Sequence, residues 1–74
     1  MKEFPRELQA ELNGLIMRAG SDYQAEKVLG TILFGNSPTR ETIGRYRRGE
    51  GNITSAAMIC CILRTHYKEK DAMQ

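Results

Sequence analysis

Apolar residues recur along this chain at helical intervals, and three glycine-bearing breaks divide them into four segments. Leu8, Leu12, Leu15, Ile16 and Ala19 share one face of a first helix predicted over Pro5–Ala19. Proline is tolerated in a first turn, where its missing N–H would be unpaired anyway. Gly14 costs this helix roughly 1 kcal/mol relative to alanine without erasing the pattern. Gly20 ends it, and Ser21-Asp22-Tyr23-Gln24 reads as a capping box for the next. Ala25, Val28, Leu29, Ile32 and Leu33 carry that second helix to about Phe34.

Gly35-Asn36-Ser37-Pro38 forms the next break: glycine or asparagine accepts a positive φ, Ser37 can cap, and Pro38 suits a first helical position. The third helix is predicted at about 38–48 and exits through Gly49-Glu50-Gly51. A fourth begins near Thr54 as its cap and runs to about Tyr67, leaving a polar tail, 68–74, expected to fray. The apolar run Ala56–Leu63 is short enough to be a strand by periodicity alone, but its alanine, methionine and leucine content favours helix. The expected fold is all-α, a compact four- to five-helix bundle containing a helix-turn-helix, with residues 1–74 forming a single domain.

At about 100° per residue, the third helix turns Thr39, Ile43 and Tyr46 to one side. Pro38, Glu41, Gly44, Arg45 and Arg48 fall on the other, with Arg40 and Arg47 on the flanks. An apolar back and an arginine-bearing front suit contact with double-stranded DNA. The guanidinium fork can bridge two acceptors of guanine in the major groove or pair with phosphate oxygens. Thr39 and the first-turn amides could point at a phosphate, and Gly44 on the exposed side would let the backbone come close to a DNA strand.

Charge and composition sharpen this picture. The net charge of the 74 residues is only +2, yet four of the arginines lie between Arg40 and Arg48 against one acid, Glu41. The positive charge is local. A hydrophobic content of 41% and a charged content of 27% fit a globule, and no apolar run approaches the roughly 20 residues of a membrane span. The opening MKEFPREL has no apolar signal core, so a cytoplasmic location is expected, with no membrane partner.

Thr42-Ile43-Gly44-Arg45-Tyr46-Arg47-Arg48-Gly49 resembles the recognition-helix end of lambda-repressor-like helix-turn-helix regulators, of the small phage repressor or activator type. Ala19-Gly20-Ser21 followed by Ala25-Glu26-Lys27-Val28-Leu29-Gly30 is similar to their first-to-second helix passage. The run from Thr54 to Leu63 looks like their next core helix. The resemblance spans about 15–63. It implies that Thr39, Arg40, Glu41, Gly44 and Arg45 face the groove, that Arg47 or Arg48 meets the DNA backbone, and that Ile43 and Tyr46 are core. In the family the turn's glycine sits nearer the aliphatic position; here Gly35 lies eight residues before Ile43. Either the second helix is extended, or the segment 31–36 is an insertion.

A single short recognition helix reads few base pairs, so the expected state is a homodimer on two half-sites. Ala56–Leu63, if helical, is apolar all round, and Met58, Ile59, Cys60 and Leu63 are the expected dimer contact. The expected role is a sequence-specific transcriptional regulator. The alternative is a helical protein-interaction module, an inhibitor or antitoxin-like adaptor whose arginines meet an acidic protein surface.

An enzyme is not expected. His66 has no paired nucleophile, and no phosphate loop or carboxylate cluster is present. Cys60, Cys61 and His66 match no zinc pattern, and adjacent cysteines do not readily bridge, so both thiols read as small hydrophobes. No metal, cofactor or small-molecule substrate is expected.

Overall fold

Each helix starts where a side chain or a proline can deal with its first unpaired amides. The computed structural model describes residues 3–73. Four helices form: α1 (Arg6–Ala19), α2 (Asp22–Ile32), α3 (Arg40–Arg47) and α4 (Ile53–Ala72), with no strand among the described residues. Pro5 precedes α1 and its carbonyl receives the Gln9 amide at 3.0 Å. Ser21 caps α2, its hydroxyl accepting from the Gln24 amide at 3.2 Å. The cap of α3 is Thr39, one residue beyond the predicted proline start, because its hydroxyl accepts from the Thr42 amide at 3.3 Å. Asn52, two residues before the predicted Thr54, caps α4 by accepting from the Ser55 amide at 2.9 Å.

Chain reversals are made by left-handed residues. Gly20 (φ +118°) turns α1 into α2 with only Ser21 intervening. The second helix stops at Ile32, short of the predicted Phe34. Phe34 (φ +55°) and Gly35 (φ +88°) are both left-handed, and the Gly35 amide reaches back to the Gly30 carbonyl at 2.8 Å. Residues 33–39 are therefore a connecting loop, while 31 and 32 still belong to α2. Between α3 and α4, a Cβ on Gly51 would lie 2.9 Å from the Tyr46 ring, so glycine is required there by contact as well as by its φ of +98°.

Leu12 and Ile16 of α1, Ala25 and Leu29 of α2, Ile43 of α3, and Ala56 and Leu63 of α4 are wholly buried together. Tyr46, Ile59, Cys60 and Tyr67 complete the core. Helix α1 is central and packs against the other three; α4 rests mainly on α1 and is thinly covered by α2 and α3. The predicted dimer contact is corrected here. Ile59, Cys60 and Leu63 face this chain's own core, and of the four only Met58 is exposed. Burial raises the pKa of the Cys60 thiol above its ordinary value, which keeps it protonated.

Helix α4 runs on to Ala72, past the predicted end at Tyr67, so most of the tail predicted to fray is helical; Gln74 lies outside the described residues. Two long-range clasps hold α4 to α1. Arg64 forks onto the Glu11 carboxylate at 2.6 and 2.7 Å, and Arg18 pairs with Asp71 while its guanidinium lies 4.5 Å from the centre of the Tyr67 ring. Hydrogen bonds from Arg64 and Arg18 hold the Glu11 and Asp71 carboxyls below the usual carboxylate range. A depressed carboxylate stabilises the fold above its unfolded pKa of about 4, and that contribution drains away as pH falls through the folded value. Thermal melts should therefore lose stability as pH drops below about 4, modestly because both clasps are solvated. Glu11→Gln should flatten part of that acid limb; an unchanged limb would show that the Arg64 clasp contributes nothing.

Candidate nucleic-acid interface

Helix α3 is eight residues long and is anchored from one side. Ile43 and Tyr46, three apart, enter the core as the helical spacing predicts. Gly44 is buried as well, which overturns its expected place on the exposed front. A Cβ at this position would lie 3.1 Å from a carboxylate oxygen of Asp22 and 3.3 Å from the Arg48 guanidinium. The glycine thus lets α2 and its acid approach α3, and its backbone lies at the floor of the arginine-bearing side, beneath Asp22 and Arg48.

Asp22, in the first turn of α2, takes the guanidinium of Arg47: Nε donates at 3.0 Å and a terminal nitrogen at 3.2 Å. The same bonds raise the Arg47 pKa further above its already high value. Arg47 is therefore fixed by an intramolecular pair about two-thirds withdrawn from solvent. Arg48 pairs with Glu50 at 3.0 Å, but both side chains are more than half exposed. Such a pair is worth little and opens readily.

The start of α3 is already satisfied by protein groups. Glu26 of α2 accepts the Arg40 amide at 2.8 Å, and the Thr39 hydroxyl is committed to Thr42. The expected capture of a phosphate by Thr39 and the first-turn amides is accordingly pre-empted by a carboxylate in the same position. Arg40, Glu41 and Arg45 remain exposed, and neither of these arginines makes an ion pair among the described residues.

The exposed side chains border a shallow groove of about 450 Å³ lined by Asp22, Arg40, Glu41, Gly44, Arg45 and Arg48. A second groove, of about 650 Å³, lies between α1 and the end of α3; Arg6, Gln9, Asn13, Arg47 and Arg48 line it. The α1 residues were not among those expected from sequence. Their spacing at i, i+3 and i+7 marks a polar stripe beside the apolar face of α1, but only the packing of α1 on α3 aligns that stripe with the arginines.

Together these features define an all-helical domain that presents unpaired guanidinium groups from one short, firmly anchored helix. Comparison with protein-family models, with curated proteins and with solved structures finds no match to this chain. No described helix is long and apolar enough to cross a membrane. Among the described residues, no three His, Cys, Asp or Glu side chains gather as a metal ion would need.

Proposed function

We propose that this chain is a sequence-specific regulator of transcription, of the small phage type, that binds double-stranded DNA as a homodimer with α3 in the major groove. One observation carries the reading: Arg40 and Arg45 stand exposed on a helix whose opposite side is fixed by Ile43 and Tyr46, and no carboxylate of the described chain pairs with them. Arg18 and Arg64, by contrast, are matched with Asp71 and Glu11, while Arg6 in the first turn of α1 makes no ion pair among the described residues. Two arginines left without such partners on one short helix fit an anionic partner outside the chain.

Within this reading Arg40 and Arg45 supply base-edge contacts, and Arg48 exchanges Glu50 for a phosphate. Arg47 acts from within, fixing the pitch of α3 against α2. Selection of bound sequences from a random duplex pool tests the proposal. An enriched palindrome is expected, together with an affinity whose logarithm falls with log salt by about 0.9 for each phosphate neutralised. An unenriched pool and salt-independent behaviour would reject it and favour a protein-binding adaptor.

A further inference from the structure

The exposed surface of α4 carries a second apolar stripe, separate from its core stripe. Met58, Cys61 and Ile62 lie on it, alongside an uncharged groove of about 390 Å³ between α4 and the α2–α3 loop. Leu33, Pro38, Tyr46, Met58, Ile59 and Ile62 form its apolar walls, and no lining residue bears a charge. In a chain that is 27% charged, such a charge-free lining matches the core of a protein interface.

In the loop that borders this groove, Phe34 is 93% exposed. Its backbone is left-handed (φ +55°), a conformation disfavoured for a bulky side chain. Leu33, which lines the groove, immediately precedes it. The loop therefore holds an aromatic ring out of the groove that its chain neighbour lines.

We infer that Phe34 is a knob that enters the α4 groove of a second copy of this chain, each copy supplying one knob and one groove. A face carrying both complementary parts closes on itself by a twofold axis and needs no other partner. A covered aromatic side chain buries about 150–250 Å². Two such rings, the groove walls they meet, Met58 among them, and the exposed part of Cys61 approach the roughly 1,000 Å² at which specific association begins. This surface keeps Met58 and the edge of Ile59 from the expected contact and leaves out Cys60 and Leu63, which the core consumes. The inference rests on the homodimeric reading above, but its test requires no DNA.

Sedimentation equilibrium of the full chain, alongside Phe34→Gly and Met58→Lys, decides the matter. Glycine accepts the positive φ at 34 and Met58 is 61% exposed, so both variants should keep the wild-type circular dichroism. The wild type should dimerise at micromolar concentration, and each substitution should raise the dissociation constant at least about tenfold. A wild type that stays monomeric at about 100 µM, or a dimer indifferent to Phe34→Gly, would overturn the interface. A monomer that still bound DNA would sink this inference and leave the α3 reading standing, whereas a Phe34-dependent dimer without DNA affinity would do the reverse.

Discussion

Replacing Arg40 and Arg45 together by alanine is expected to weaken specific DNA binding at least about thirtyfold without moving the melting midpoint. The magnitude follows from two guanidinium contacts at about 1–3 kcal/mol each, with tenfold in affinity for every 1.4 kcal/mol. Stability should be untouched because both side chains are exposed and neither makes an ion pair among the described residues. Arg47→Ala supplies the contrast. It strips Asp22 of its fork, at a cost on the order of 1 kcal/mol for a partly exposed pair, and should lower the midpoint by roughly 4–8 °C in a domain of this size. Fluorescence anisotropy on the selected duplex and thermal melts of the same samples separate the two effects. If the Arg40/Arg45 variant bound as tightly as the wild type, α3 would not be the reading helix.

That contrast depends on which arginines have partners, and this is where sequence reading reached its limit. Helical spacing placed Leu12, Ile16, Leu29 and Ile43 inside, because each element's periodicity reports the direction of its own apolar face. It could not place Asp22 beneath Arg47, since the two are 25 positions apart and meet only through the packing of α2 on α3. The same long-range contact buries Gly44, which a helical wheel alone assigns to the outside. Glu26 at the start of α3 is a further case: local pattern suggests an open anion site, and tertiary structure closes it.

Helix α4 shows a signal that was present but masked. Ala56, Ile59, Cys60, Leu63 and Tyr67 recur at i, i+3, i+4, i+7 and i+11, and all five are buried. The stripe extends beyond the continuous apolar run to Tyr67, so its direction was readable from sequence. The neighbouring Met58, Cys61 and Ile62 made the run look apolar on every side and hid it. The extension to Ala72 had no such local mark, because the clasps of Arg64 to Glu11 and Arg18 to Asp71 each join residues 53 apart. The position of Phe34 was hidden for a related reason: apolar residues on both sides of a helix end look like continued helix until the left-handed residues at 34 and 35 turn the chain away.

The anchoring of α3 leads to a second large expected effect, this time on the fold. Ile43 is wholly buried, and in an eight-residue helix only Tyr46 shares the work of holding the apolar side in place. Truncation to alanine removes the transfer energy of the lost carbons and leaves a cavity, about 2–5 kcal/mol for a buried isoleucine. Stability of about 0.05–0.15 kcal/mol per residue gives a chain of this length only about 4–11 kcal/mol in total. Ile43→Ala should therefore remove about a fifth of the stability or more, seen in urea as a lower midpoint with an unchanged slope. Ile43→Val keeps the branched shape and should cost only about 0.5–1.5 kcal/mol. Because α3 is short and Ile43 and Tyr46 are the apolar side chains it buries, its amides should become the first to exchange with deuterium in the alanine variant, ahead of those of α1 and α4. DNA affinity should fall with the population of attached α3, and added duplex should restore part of the lost midpoint by binding the folded form. If Ile43→Ala matched Ile43→Val in urea and left α3 exchange unaltered, Ile43 would not be what joins the arginine-bearing helix to the rest of the molecule.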